Sequence, residues 1–212
     1  MITGKSSTRA SIIVSLLFLF LSVGEVLAKS AGIRSPDQSI SVVFETIMEE
    51  QAAEAGGQLV YSVTYKNQSL IERSALSLGF ENFEPLGEDV KIIKVETATL
   101  NQLYNLFAGK TSAVDEQCNT LRLYLKENKD SARQLIIEAR AYDDGIAFRY
   151  IVPGQSGPTD FRLTGEKTEF KISKDAITYA QMLPGFKHSY EAEYVKMPIS
   201  AFSHRDSMVN DV

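Results

Sequence analysis

Hydrophobic and polar side chains alternate with a period of two along most of the chain. That is the pattern of strands with one face buried and one face wet. Ile40, Val42 and Phe44 share one face of 39–45. Leu59, Tyr61, Val63 and Tyr65 alternate with Val60, Ser62 and Thr64, 66–68 reads as a turn, and 69–72 as the return strand. Leu76, Leu78 and Phe80 mark a further segment, and 90–97 (VKIIKVET) another. Leu121, Leu123 and Leu125 point one way while Arg122, Tyr124 and Lys126 point the other. The run 135–142 leads into Asp143-Asp144-Gly145, and 146–152 follows. This Asp-Gly pair between alternating runs predicts a tight hairpin, with glycine supplying the positive φ. Weaker strands are expected at 169–172, 176–180 and 188–194. Only 47–55 (IMEEQAAEA) has helical composition, and Gly56-Gly57 ends it, so a helical turn or a long hairpin loop is expected there. About ten short strands without strand–helix alternation predict an all-β, antiparallel sandwich.

The first 28 residues break this pattern. Lys5 and Arg9 precede an apolar run from 11 to 23 (SIIVSLLFLFLSV), and Val26-Leu27-Ala28 offers a cut after Ala28. Together these read as a secretory signal peptide over 1–28. The run falls short of the roughly 20 apolar residues of a membrane span. The competing reading is an uncleaved N-terminal anchor. Export places the domain, expected over 29–200, in the periplasm or outside the cell.

Composition narrows the function further. The 212 residues carry 22 basic and 27 acidic side chains, a formal charge of -5. An acidic chain lacks the basic field that nucleic acid demands. A lone cysteine, Cys118, permits no internal disulfide and is expected to be buried rather than reactive.

No self-contained catalytic motif is present: no G-x-S-x-G, H-E-x-x-H, Walker loop or G-x-G-x-x-G. The two histidines are His188 and His204. His188 and Glu191 suggest a mutarotase-like proton-transfer pair. In a strand, however, positions three apart face opposite ways. Asp143 and Asp144 read as turn residues rather than an acid pair. Arg149, inside IAFRYIV, calls for a carboxylate partner, with ligand contact as the alternative. Tyr61, Tyr65, Tyr142 and Tyr150 read as sandwich core and rim. The chain has no tryptophan, which weakens the case for a sugar-stacking platform.

Four stretches in order resemble one family: SPDQSISVVFE, LVYSVTYKNQSLIERSALSLGF, ARAYDDGIAFRYIVP and ITYAQMLPGFKHSYEAEY. They are similar to the N-terminal domain of the glycoside hydrolase family 97 enzymes, exported bacterial α-glucosidases and α-galactosidases. The resemblance runs from about Gly32 to about Ser200. It implies an antiparallel β-super-sandwich of the galactose-mutarotase-like kind, followed by a catalytic (β/α)8 barrel and a C-terminal β domain. On this reading 201–212 starts a linker towards a barrel that the chain lacks, so the sequence is expected to be truncated or partial. The catalytic carboxylates belong to that barrel, and no catalytic residue is expected here.

The resemblance also implies a calcium ion acting as cofactor of the whole enzyme. Its one ligand from this domain falls after Pro184-Gly185, in PGFKHSYE, on Glu191, with Glu193 the runner-up. Calcium takes about six to eight oxygens, so the barrel must provide the rest, and this chain alone is not expected to hold the ion tightly. The partners implied are the barrel and an α-linked oligosaccharide, with no nucleic acid and no membrane after signal cleavage. Leu106 and Phe107 stand where family members often carry tryptophan, which casts doubt on sugar contact there. The segment 47–57 looks longer than the family hairpin. Besides this glycosidase domain, a free-standing exported module binding carbohydrate or a protein remains the alternative, and a mutarotase-like enzyme is the weakest reading.

Overall fold

The computed structural model describes residues 30–47, 57–128, 133–154, 161–182, 187, 189 and 191–202. The signal segment 1–28, the helical expectation over 48–56, and His188 and His204 lie outside the described residues.

Twelve strands follow one another: β1 Ser30–Arg34, β2 Ile40–Ile47, β3 Gln58–Tyr65, β4 Gln68–Phe80, β5 Phe83–Leu86, β6 Val90–Asn105, β7 Ala113–Glu127, β8 Gln134–Tyr142, β9 Gly145–Ile151, β10 Leu163–Thr168, β11 Ile177–Gln181 and β12 Tyr194–Pro198. A 3-10 turn over Ile199–Phe202 closes the described chain. The first sheet runs β1-β2-β3-β4-β10, with β5 also on β4. The second runs β6-β7-β8-β9, and among the described residues β11 pairs only with β12. The pairings between strands are antiparallel, as expected for an all-β sandwich.

The core lies between the two sheets. Val42, Phe44, Tyr61, Leu76 and Leu78 meet Leu121, Leu123, Leu125, Leu135 and Ile137. The period-two pattern thus places one face of each strand inward. Phe148 of β9 packs between Phe44 and Tyr61, at centroid distances of 6.0 and 5.2 Å.

Several sequence expectations need correction. The turn after β8 is Asp143-Asp144, and Gly145 is already in β9, paired with Tyr142. Its φ is not in the left-handed region, so the positive φ expected of it is not used. A left-handed two-residue turn instead joins β3 to β4, where Lys66 and Asn67 have φ of 47° and 63°. Gln68, expected in that turn, begins β4 opposite Tyr65.

The two segments expected over 69–80 are one continuous strand of 13 residues. Polar Glu72-Arg73-Ser74 hides the continuity, but the Ser74 hydroxyl is buried and donates to the Glu72 carbonyl while accepting from Lys171 N. The expected strand at 169–172 is a single bridge, Ile71 to Ile172, and the paired strand lies earlier, in β10. The segment 90–97 extends to Asn105 because β7 pairs with it along its whole length, although its side chains are exposed from Ile93 to Asn105 apart from Leu100. Alternation fades where no second sheet covers the strand.

Candidate functional site

The expected strand over 188–194 is also corrected. Of its described residues only Tyr194 is in a strand, while Glu191, Ala192 and Glu193 lie in the connection before β12. Facing arguments based on strand parity therefore do not apply to Glu191. The β11–β12 hairpin is closed at its base, where Asp175 accepts hydrogen bonds from Ser200 N and Ser200 Oγ, each at 2.9 Å. Ile199 N adds a bond to the Ala176 carbonyl. Near its loop end Gln181 pairs with Tyr194, and the Gln181 Nε2 donates to the Ala192 carbonyl at 2.7 Å. That carbonyl sits between Glu191 and Glu193, both of which are exposed.

A carboxylate is a hard oxygen donor and suits calcium. Among the described residues no three His, Cys, Asp or Glu side chains come together as a metal group. The donor type therefore fits a calcium ion, and the donor number fits only a shared site.

A second concentration of polar chemistry covers the outer face of β6–β9. Pairing aligns Glu96, Arg122, Glu138 and Arg149 across the four strands. The Arg122 Nη2 and Arg149 Nη2 donate to the two oxygens of Glu138 at 2.5 and 2.7 Å. The carboxylate partner expected for Arg149 is therefore Glu138, whose acidity the Arg122 hydrogen bond raises, holding its pKa below the usual value.

Nearer the β6–β7 turn, the buried Glu116 accepts from Tyr142 Oη, Gln102 Nε2 and Arg140 Nη1 at 2.6, 2.5 and 2.5 Å. The Tyr142 hydroxyl, then Gln102, hold its pKa down. Cys118 is buried beside this group, and burial pushes its thiol pKa up. An upward shift leaves less thiolate, so an inert cysteine results. Sequence reasoning missed this cluster because its members sit 40 positions apart, from Gln102 to Tyr142. Every charge in it is already paired, and the arrangement holds strands together rather than offering a reactive group.

The third feature is a groove of about 700 Å³ between β9 and β10, with Tyr61, Phe80, Phe148, Tyr150, Phe161 and Phe170 on its walls. Its polar groups satisfy one another: Tyr150 Oη and Thr168 Oγ1 are 2.8 Å apart, and Thr168 donates to Glu166 at 2.7 Å. Burial pushes the Tyr150 phenol up to about 12. Such walls suit apolar matter better than a sugar, whose hydroxyls would go unpaired. Of the other tyrosines considered, Tyr61 is buried and donates to the Glu169 carbonyl at 2.8 Å, while Tyr65 lies exposed at the rim. Asp143 accepts from Asp37 N at 2.8 Å, a structural role consistent with turn chemistry.

Comparisons with known proteins agree with this architecture. The family model described as Glycosyl-hydrolase 97 N-terminal matches residues 33–210. A retaining alpha-galactosidase of Bacteroides thetaiotaomicron is 22% identical over 149 residues, 70% of this chain and 21% of that protein. A probable retaining alpha-galactosidase of Streptomyces bingchenggensis is 24% identical over 123 residues, 58% of this chain and 18% of that protein. The chain thus spans about a fifth of the length of these curated relatives.

Among solved structures, a glycoside hydrolase family 97 enzyme from Pseudoalteromonas sp. strain K8, in complex with panose, superposes with a TM-score of 0.68 at 28% identity. The match covers 79% of this chain and 24% of that one. A beta-arabinopyranosidase shares the fold at a TM-score of 0.64 and 22% identity, over 78% of this chain and 26% of that one.

Proposed function

This chain belongs to the glycosyl-hydrolase 97 N-terminal domain family, and on that premise we propose that it is the N-terminal sandwich of an exported α-glycosidase. Residues 1–28 direct export to the periplasm or beyond and are removed, 29–200 form the domain, and 201–212 lead towards a catalytic (β/α)8 barrel. The barrel carries the two carboxylates that glycoside hydrolysis needs. The substrate is an α-linked oligosaccharide. The retaining alpha-galactosidases among the relatives and the panose complex of the Pseudoalteromonas enzyme support that class.

One observation carries the reading: an exposed Glu191, with Glu193 two residues on, beside a hairpin that among the described residues pairs with neither larger sheet. One exposed carboxylate ligand is what this domain would contribute to a site completed by another domain. Glu191 would supply one carboxylate to calcium, and the ion, when bound, supplies fixed positive charge in the shared site.

The test is Glu191→Gln and Glu193→Gln in a family 97 enzyme that carries the PGFKHSYE stretch. Glu191→Gln should weaken calcium retention and lower activity, with partial rescue by added calcium, while Glu193→Gln should not. The reverse result moves the ligand to Glu193, and indifference of both removes the calcium role from this loop.

The alternative is a free-standing exported module that binds carbohydrate or a protein partner, and the apolar groove favours the protein. Calorimetric titration of this chain with an apolar peptide, giving saturable heat lost in Phe148→Ala, would favour it.

A further inference from the structure

Gln181 bridges the mouth of the connection 182–193. Its backbone is paired with Tyr194 in the ladder, and its side chain reaches two residues further, to the carbonyl of Ala192. Glu191, Ala192 and Glu193 are outside the ladder. A backbone outside a ladder keeps its conformational freedom unless a side chain takes it away. The bond at 2.7 Å holds the peptide that joins Ala192 to Glu193 and so restrains the backbone that carries the two carboxylates. Gln181 and Ala192 are each half-buried while the carboxylates on either side are exposed. The anchor is shielded from water and the donors face it.

We propose that Gln181 is a positioning residue that preorganises Glu191 for a divalent cation by holding the Ala192 carbonyl. The proposal rests on the reading of Glu191 as a calcium ligand. A cation that gains ligands from two domains binds weakly if one of them must first be ordered, and preorganisation removes that cost. The amide suits the task because its N–H donates to the carbonyl, whereas a carboxylate there would repel it.

The experiment uses this chain, with residue-resolved amide exchange and gadolinium(III) as a paramagnetic probe that seeks the same hard oxygens as calcium. In the unsubstituted chain, line broadening should centre on Glu191, Ala192 and Glu193. Gln181→Leu should speed amide exchange across these residues about fivefold, the effect of one hydrogen bond of ordinary net strength. It should also raise the probe concentration for half-maximal broadening several-fold, with an unchanged melting temperature. Gln181→Arg, which keeps N–H donors with sufficient reach, should restore slow exchange, while its positive charge keeps the probe from binding as well as in the unsubstituted chain. Gln181→Glu, which also lacks the N–H donor, should speed exchange as Gln181→Leu does, and it serves for the exchange measurement if the leucine variant does not fold.

Broadening centred on Glu191 that Gln181→Leu leaves unchanged overturns the positioning role alone. Exchange unaffected in both variants overturns it too. Broadening in the unsubstituted chain that avoids Glu191 and Glu193 overturns the ligand reading, and the positioning role falls with it.

Discussion

The Arg133 guanidinium forks onto Glu127, with Nε 2.8 Å from Oε2 and Nη2 2.6 Å from Oε1. The same Arg133 Nη2 donates to the Glu84 carbonyl at 2.6 Å, and the guanidinium lies 5.4 Å from the Phe83 ring centroid. One side chain therefore ties the β7–β8 connection of one sheet to β5 of the other. The side chains are only 17% and 5% exposed, so removing one partner strands a buried charge. Arg133→Ala should cost about 3 kcal/mol, read from urea unfolding. Arg133→Lys should fall between, because an ammonium cannot fork onto a carboxylate.

Acid stability should depend on Glu116. Its folded pKa lies below the ordinary value because Tyr142, Gln102 and Arg140 bind the ionised form. A depressed carboxylate stabilises the fold above its unfolded pKa, about 4.3, and that contribution is lost as the pH falls through the folded value. Unfolding midpoints measured below about pH 4.3 should drop steeply in the natural chain. In Glu116→Gln the curve should start lower at neutral pH and fall less.

The alkaline limb should report on Tyr150. Its phenol is pushed up to about 12 by burial, against about 10 for a free tyrosine. The neutral form is the one the fold prefers. Its contribution is present below about pH 10 and fades as the pH rises towards the folded value. Tyr150→Phe should flatten this limb, as measured by melting temperature against pH, while losing the bond to Thr168 at neutral pH.

The groove between β9 and β10 should make the chain adhesive. Phe161, Leu163 and Phe170 on its rim are 47%, 54% and 62% exposed, and contiguous apolar surface of this kind draws partners. The natural chain should enhance the fluorescence of an apolar dye such as ANS. Leu163→Lys with Phe170→Asp should reduce that signal and any self-association seen by sedimentation.

No glycosidase activity is expected from this chain by itself. Hydrolysis requires two carboxyl groups placed on either side of one bond. Glu138 is spent on ion pairs with Arg122 and Arg149, and Glu116 on one with Arg140. Purified 29–212 should release no nitrophenol from aryl α-glucosides or α-galactosides.

Period-two alternation was enough to determine the strand class and the inward faces of β2, β3 and β7, and the burial of Cys118 was expected from its being a lone cysteine in an exported chain. A residue's preference for the core is a local property that repeats down a strand. The family, too, was legible, because short stretches around ARAYDDGIAFRYIVP preserve their order in the chain. Tertiary structure alone decided the rest. Glu72-Arg73-Ser74 stays in one strand because neighbours on both sides of β4 hydrogen-bond it, which no local pattern encodes. The hairpins at Lys66-Asn67 and Asp143-Asp144 both close over two residues, yet only the first uses left-handed φ, and composition alone pointed to the other. Glu116, Arg140 and Tyr142 met only when β7 and β8 paired. The Gln181 clamp on Ala192 needed the β11–β12 register to bring the two ends of its loop together. Contacts between residues far apart in sequence depend on pairing, and pairing is settled by the whole core at once.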